Sequence, residues 1–330
     1  MHFFPRGSTR RSAASFLGVA CFAAGLVIAP GCSIVQAKKI LYIDSYHEGY
    51  AWSEGITAGV MEVLNGTIHE VRVLRLDTKR NRSEEFKKTA ALKAKEFIEK
   101  FKPDVVIAAD DNAAKYLIMP YYLNTDLPVV FCGINWDASI YGLPSKNATG
   151  MIEVAPVPQL LDYLKRYSKG DRVGFLSPDL LSAHKEVDNY KKEFGIKLTE
   201  YYSRDADDWK KAFLELQNKV DMLIIDSDGG LYEDQADDII AFVERNTKIP
   251  SGTILDFMAP YVFITFAKVA EEQGSWAAKT ALEILRGTPP SHIPVERNKE
   301  GYLIINTRIA QALGYEIPYS ILKSAYILIE

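Results

Sequence analysis

The chain has 330 residues, with 39 Lys and Arg against 43 Asp and Glu, and its formal net charge is −4. The first 37 residues hold three Arg and no acidic residue, so the remainder has 36 basic and 43 acidic side chains and a net charge of −7. This acidic balance argues against nucleic acid and against an anionic membrane surface as partners.

Residues 1–37 have the form of a signal peptide. Three Arg precede an apolar stretch over residues 13–29, and Val35-Gln36-Ala37 has the small-x-small pattern that signal peptidase cuts. We expect cleavage after Ala37 and a protein that resides in the periplasm or otherwise outside the cytoplasm. Two alternatives stay open. Ala29-Pro30-Gly31-Cys32 resembles a lipobox, in which Cys32 would be lipidated and would anchor the protein. The apolar stretch, at about 17 residues, also reaches the lower limit for a membrane-spanning helix.

Beyond the leader, short apolar runs alternate with amphipathic helical stretches, and this pattern occurs twice. The first set comprises residues 40–43, 71–76, 105–109 and 129–132, and the second comprises 173–176, 197–202, 222–225 and 253–255. Continuous apolar strands between helices indicate parallel sheets that are covered by helices on both faces. We predict an α/β protein with two Rossmann-like lobes, each built on a parallel sheet, that face each other across a cleft.

The predicted helices and the final strand indicate where the chain passes from one lobe to the other. Helical spacing indicates helices over 53–64, 86–101, 267–285 and 307–313, and a final strand over 302–305. Runs 71–76 and 197–202 alternate apolar with polar residues, as edge strands exposed on one face do. We expect lobe 1 to comprise residues 38–150 and about 258–290, and lobe 2 residues 151–257 and about 291–330. The chain would then cross three times between the lobes and form a stiff hinge.

The sequence lacks the motifs of the common catalytic and metal sites. It has no phosphate-binding Gly-rich loop, Gly-x-Ser-x-Gly, His-Glu-x-x-His or Cys-x-x-Cys. Cys132 with His47 or His184 as base would be a catalytic alternative, and His47 with Asp residues a metal site, but a free Cys at a strand end is more typical of a buried core. The other two Cys lie in the leader, so no intramolecular disulfide is expected. We predict no enzyme activity, no cofactor and no metal.

Several motifs resemble those of a known family. They are Asn147-Ala148-Thr149-Gly150 with Pro156-Val157-Pro158-Gln159-Leu160, the segment from Val220 to Asp228, Arg286-Gly287 with Ile293-Pro294-Val295, and the C-terminal Ile305-Asn306, Ala312-Leu313-Gly314 and Ile317-Pro318. Together they resemble the ABC transporter substrate-binding proteins of the type I periplasmic binding protein fold, a family that includes the tryptophan-binding lipoproteins. The resemblance extends over most of the chain after the leader and implies a Venus-flytrap cleft between the lobes.

The resemblance also implies that loops following the strands of both lobes contact the ligand. Carried over by position, the ligand-binding residues are Ser45, Tyr46, His47, Asp111, Asn112, Asn135 and Trp136 in the first lobe and Ser177, Arg204, Asp228 and Asp256 in the second. Trp52 is added because it lies beside a strand end. Helix capping explains Asp111 equally well. Two glycines after Asp228 would let a ligand approach the backbone closely. The aromatic residues could stack on a flat ligand or belong to the core.

These features predict a solute-binding protein. We expect it to capture a small polar or aromatic molecule, amino-acid-like because the Asp residues suit an amine and Arg204 suits a carboxylate. The ligand would favour a closed arrangement of the lobes, and the partners of this monomeric protein would be the ABC permease and ATPase subunits. The alternative is a ligand-sensing subunit for a membrane receptor or sensor kinase, and an extracytoplasmic enzyme is less favoured.

Overall fold

The computed structural model describes residues 36–330. The predicted signal peptide up to Val35, with the lipobox at Cys32, lies outside the described residues. Within residues 36–330, no helix combines the length and the apolarity that a membrane span requires.

Strands and helices alternate along most of the described chain. The strands are β1 (Lys39–Asp44), β2 (Glu70–Arg75), β3 (Val105–Ala109), β4 (Val129–Asn135), β5 (Ala148–Glu153), β6 (Val173–Pro178), β7 (Leu198–Ser203), β8 (Met222–Ile225), β9 (Ser251–Thr253), β10 (Ile264–Lys268), β11 (Glu296–Arg297), β12 (Gly301–Asn306) and β13 (Ile327–Ile329). The helices are α1 (Ala51–Leu64), α2 (Glu84–Phe101), α3 (Asp110–Ala113), α4 (Met119–Tyr121), α5 (Val157–Lys165), α6 (Leu181–Phe194), α7 (Ala206–Leu216), α8 (Ala236–Asn246), α9 (Ala270–Leu285), α10 (Thr307–Leu313) and α11 (Tyr319–Ser324). A π-helical segment, Ala114–Ile118, joins α3 to α4, and 3₁₀ turns cover Ala138–Tyr141, Glu233–Gln235, Asp256–Tyr261 and Pro290–His292.

Two sheets form the two lobes. In the described part of the chain, the first sheet has the order β11-β5-β4-β3-β1-β2 and its pairs are parallel. The second has the order β13-β12-β10-β9-β8-β6-β7 and is parallel except where β10 pairs antiparallel with β12. The predicted α/β class with two parallel-sheet lobes is confirmed. Strands β2 and β7 lie at sheet edges, as their alternating sequences predict.

The strand and helix boundaries differ from the sequence prediction in the last third of the chain. The sequence predicts a helix from residue 267, but β10 occupies 264–268 and α9 begins at Ala270. Strand β10 lies between β9 and β12, and a short buried apolar run has no periodicity that separates a strand from a helix. Strand β5, which the sequence presents only as part of a family motif, also extends the first sheet.

Three crossings connect the sheets within residues 36–330. They follow β5, β10 and β11, whereas the sequence prediction places them near residues 150, 257 and 290. The second crossing comes later because β10 pairs with β9 and β12 before α9 returns to pack on α1, β3 and β4. The first lobe therefore comprises residues 37–153 and 269–298, and the second lobe residues 154–268 and 299–330.

Helices α1 and α9 approach each other closely in the first lobe. A Cβ atom on Gly59 would lie 2.1 Å from the carbonyl oxygen of Glu271, and one on Gly274 would lie 2.0 Å from that of Ile56. Both distances are far below van der Waals contact, so only glycine allows the two backbones to pack at this separation. This contact fixes a helix from the last third of the chain against the first helix of the fold.

We predict that Gly274→Ala destabilises the protein. The clash with Ile56 should outweigh the ~0.5–1 kcal/mol that Ala gains over Gly inside a helix, because overpacking a tight interface costs about 1–3 kcal/mol. Urea titration should therefore show a free energy of unfolding that is lower by at least about 1 kcal/mol. Lys279→Ala, at an exposed position of the same helix, should change it by less than about 0.5 kcal/mol. Equal effects of the two variants would contradict the packing argument.

Candidate functional site

A cleft of about 620 Å³ lies between the two lobes and is bordered by both. Its lining residues are Tyr46, Tyr50, Ala51, Trp52, Gly55, Lys79, Asp110, Asn135, Glu153, Ile254, Leu255, Asp256, Phe257, Ala267, Lys268, Ala270, Glu271 and Tyr302. Most of them follow or end parallel strands, at the edge of an α/β sheet where ligands bind. A second cavity of about 190 Å³, which we call the side pocket, shares Asn135, Glu153, Ile254, Leu255 and Lys268 with the cleft.

An ion pair joins the lobes inside the cleft. Glu153 ends β5 in the first lobe and Lys268 ends β10 in the second, and the Lys268 ammonium contacts the Glu153 carboxylate. Glu153 is 7% exposed. Burial raises the pKa of its carboxyl, and Lys268 opposes that shift. The Lys268 ammonium also lies 5.6 Å from the ring centre of Trp52, within the range of a cation–π contact.

Asp110 is a buried carboxyl group with no cationic partner among the residues that the structure describes. It is 2% exposed and its Oδ1 accepts a hydrogen bond of 3.1 Å from Trp52 Nε1, while Oδ2 is buried and has no hydrogen-bond partner within residues 36–330. Its backbone φ is +67°, a left-handed conformation that is uncommon outside glycine. Burial, with Glu153 and Asp44 nearby, raises the pKa of the Asp110 carboxyl well above its ordinary value.

A bulge in β4 makes room for Asp110. The register of β4 on β5 shifts between Phe131 and Ile134, and Gly133 there has φ +67°. A Cβ atom on Gly133 would lie 3.0 Å from Asp110 Oδ1. Gln273, fully buried on α9, accepts a hydrogen bond of 2.9 Å from Gly133 N and so holds the bulge in place. The position of Asp110 is thus supported by a glycine and a buried amide.

Aromatic rings form the first-lobe wall of the cleft. Tyr46 and Tyr50 meet edge to face, with ring centres 5.3 Å apart. The Lys79 ammonium lies 5.1 Å and 4.8 Å from these two ring centres. Lys79 has no ion pair among the residues that the structure describes. The wall therefore offers apolar stacking surface beside a cation that is free to meet an anionic group.

The structure places four of the predicted site residues in the cleft and another in the side pocket. Tyr46, Trp52, Asn135 and Asp256 line the cleft. Trp136 lines the side pocket, where its Nε1 donates to Glu186 of α6 at 3.2 Å and its ring packs on Tyr190 and Phe194. Trp136 therefore also contacts the second lobe.

Other predicted residues line neither cavity but form contacts close to the lining. Ser45 Oγ donates to Ala109 O and accepts from Ala113 N. Asp111 accepts hydrogen bonds of 2.9 Å from Asn135 Nδ2 and from the Tyr141 hydroxyl. His47 packs on Tyr50 of the cleft, and Ser177 donates to Asp226 of the side pocket. Asn112 donates to Thr78, which precedes the cleft residue Lys79 but lines neither cavity.

Two predicted residues of the second lobe lie outside both cavities. The Arg204 side chain is 80% exposed and pairs with Asp208 of α7, the helix that follows it. Asp228 lies in a turn in which its carbonyl accepts from Leu231 N, and it lines neither the cleft nor the side pocket. The arrangement of the lobes described here does not bring either residue to the cleft.

Four residues of the cleft are not among the predicted site residues: Asp110, Glu153, Lys268 and Lys79. Asp110 stands next to the predicted Asp111, but it has a left-handed φ and is buried, whereas Asp111 is partly exposed. Glu153 and Lys268 end two strands that the sequence pattern did not predict. A polar residue that closes an apolar run was the available signal for both.

Comparisons with known proteins agree on the family and the fold. The model of the family described as ABC transporter substrate binding protein matches residues 50–328. No curated protein sequence matches the chain significantly. The matched family is the one that the sequence motifs resemble, so that prediction is confirmed.

Three solved structures illustrate the fold. The ligand-free, open structure of CD0873, a substrate binding protein with adhesive properties from Clostridium difficile, is 19% identical, with a TM-score of 0.68 over 89% of this chain and 99% of that one. An ABC domain in complex with L-Trp from Streptococcus pneumoniae is 20% identical, with a TM-score of 0.52 over 89% and 100%. A periplasmic ribose ABC transporter from Conexibacter woesei is 14% identical, with a TM-score of 0.52 over 87% and 98%. These likenesses show the two-lobed periplasmic binding protein fold.

We predict that Asp110 makes the stability of the unliganded protein depend on pH. Because its folded-state pKa lies well above 3.8, the folded protein keeps this proton at pH values where the unfolded chain has lost it. Stability then falls as pH rises from about 4 towards the raised pKa. Asp110→Asn removes this loss, so calorimetry should show a Tm difference, variant minus wild type, that is smallest near pH 4 and grows towards neutral pH. A difference that does not change with pH would contradict this assignment.

Proposed function

The chain belongs to the ABC transporter substrate-binding protein family, and from this premise we propose that it captures an amino-acid-like small molecule in the cleft and delivers it to an ABC permease and its ATPase. The observation that carries the proposal is the cleft itself. At about 620 Å³ it has the size of a small-molecule site, and both lobes contribute to its lining. A ligand held there touches the two lobes at once.

The three crossings favour hinge closure as the mechanism. Asn298, before the third crossing, accepts a hydrogen bond of 2.7 Å from Val154 N in the first crossing. Glu272, after the second, accepts from Lys299 N at 2.8 Å and from Glu300 N at 3.0 Å. These bonds tie the crossings together, so the lobes should move as rigid bodies about one hinge. A ligand that contacts both lobes stabilises the closed arrangement and shifts the population towards it.

The chemistry of the lining supports an amino-acid-like ligand. Carboxyl groups of Asp110, Asp256 and Glu271 suit an ammonium group, the Lys79 ammonium suits a carboxylate, and the aromatic wall suits an apolar side chain. The related fold solved with L-Trp is in keeping with this class. The export signal in the sequence supports a periplasmic location for a monomeric receptor, soluble after cleavage or anchored through Cys32.

We predict that at least one small molecule binds with a stoichiometry of one per chain. A ligand present at 100 times its dissociation constant stabilises the folded state by about 2.7 kcal/mol. Because a protein of this size gains roughly 2–4 °C per kcal/mol, thermal unfolding should shift upwards by about 5–10 °C. The screen should contain amino acids, amines, carboxylic acids, sugars and nucleobases, and the compound should be recovered unchanged. Absence of a shift across the whole screen would contradict the proposed function.

We also predict that Phe257 contributes to binding without stabilising the unliganded fold. Its side chain is 58% exposed at the second-lobe side of the cleft, so closure over a ligand would bury it. Phe257→Ala should weaken binding by about 1–2 kcal/mol, a loss of roughly five- to thirtyfold, with little change in unliganded Tm.

Leu181→Ala is the matched control for Phe257→Ala. Leu181 is 72% exposed on the same lobe and lines neither cavity, so its removal should leave the affinity nearly unchanged. Isothermal titration calorimetry of both variants with the best compound measures the difference. Equal affinities of the two variants would place the ligand away from Phe257.

A further inference from the structure

Three buried carboxyl groups end or follow strands of the first sheet, and two of them have cationic partners. Asp44, fully buried, pairs with Arg75 at 3.3 Å, and Glu153 pairs with Lys268. Asp110 has neither a Lys nor an Arg in ion-pair contact among residues 36–330. Buried carboxylates are normally paired, so the positive charge that would let Asp110 ionise at low cost is missing from residues 36–330.

We propose that the missing charge is the ammonium group of the ligand, and that Asp110 receives it in the cleft. This inference rests on the proposed function and names the ligand class, a primary or secondary amine, together with the residue that selects it. The geometry of Asp110 carries the proposal. One carboxyl oxygen accepts a hydrogen bond from Trp52 Nε1 at 3.1 Å, and the other is buried with no hydrogen-bond partner in the described part of the chain.

The local structure holds this carboxyl in a conformation that it would not adopt unaided. A left-handed φ on a residue other than glycine is a local strain, and such strain concentrates at functional sites. The bulge at Gly133 provides the space beside Oδ1, and Trp52 fixes the orientation of the carboxyl group. A residue needed only for the fold would not require an unpaired, strained and buried acid at the cleft.

The neighbouring Lys and Arg side chains do not supply the cationic partner that Asp110 lacks. Lys268 is engaged by Glu153, and Arg75 is shared among Asp44, Glu54 and Glu48. Lys79 lies on the rings of Tyr46 and Tyr50 and makes no ion pair with Asp110. An incoming amine therefore meets a carboxyl that accepts a hydrogen bond from Trp52 but has no cationic partner within residues 36–330.

A matched panel of compounds tests the ligand class. It contains the proteinogenic L-amino acids, the amines formed by removing their carboxyl groups, and the carboxylic acids formed by removing their amino groups, alongside sugars and nucleobases. Every compound that raises the Tm of the wild-type protein should carry an amine, and its counterpart without the amino group should bind at least thirtyfold more weakly. Binding of an amine-free acid as tight as that of its amine counterpart would overturn the inference.

Variants of Asp110 test the residue. Asp110→Asn keeps the shape and an acceptor for Trp52 but removes the charge, so the affinity for the best amine should fall at least thirtyfold, while the unliganded protein should melt at or above the wild-type temperature. Asp110→Ala serves the same purpose if the Asn variant folds poorly. Asp162→Asn, an exposed and charge-matched control, should change the affinity by less than twofold.

The outcomes distinguish this inference from the proposed function. A Kd within threefold of wild type for both Asp110 variants would overturn the inference, as would a loss of amine binding in Asp228→Asn with none in Asp110→Asn. Binding of a sugar or a nucleobase without any amine would overturn the inference and leave the proposed function standing. Binding of no compound at all would overturn both.

Discussion

The ion pair between Glu153 and Lys268 is the contact on which the architecture of the cleft depends. Each residue ends the strand that precedes a crossing, one in each lobe, so the pair fixes the two lobes to each other at the place where the chain passes between them. Because Lys268 is held by Glu153, it is not available to Asp110 at the end of β3, and Asp110 has no cationic partner in the part of the chain that the structure describes. One electrostatic contact thus both joins the lobes and leaves Asp110 without the cation that would stabilise its ionised form.

Helix α9 connects this charge arrangement to the rest of the fold. Gln273 holds the β4 bulge beside Asp110, and Glu272 accepts backbone hydrogen bonds at the third crossing. Gly274 lets the helix pack against α1, which carries Trp52. A single helix, α9, therefore positions the β4 bulge, the crossings and the wall of the cleft. The chain forms this helix after it has completed most of both sheets. If the lobes move about the crossings, the access of a ligand to Asp110 should change more than the local geometry of Asp110 does.

The layered architecture is predictable from the sequence because buried strands are continuous apolar runs and edge strands alternate apolar with polar residues. It also indicates the correct strand ends, so Tyr46, Trp52, Asn135 and Asp256 do line the cleft. It does not indicate that Asp110 rather than Asp111 lines the cleft, because that choice depends on a left-handed φ. Glu153 and Lys268 are missed because the sequence presents β5 only as part of a family motif and assigns the end of β10 to a helix. Arg204 and Asp228 have suitable chemistry, but their positions in the fold lie outside both cavities.

A crystal structure of the protein with the compound that raises its Tm most would test the central claim directly. The account predicts electron density for the compound between the lobes, with an ammonium nitrogen at about 2.7–3.2 Å from Asp110 Oδ2 and the Glu153–Lys268 ion pair intact. A compound bound between the lobes that leaves Asp110 Oδ2 without a partner, or one that separates Lys268 from Glu153 to pair with it, would contradict the account.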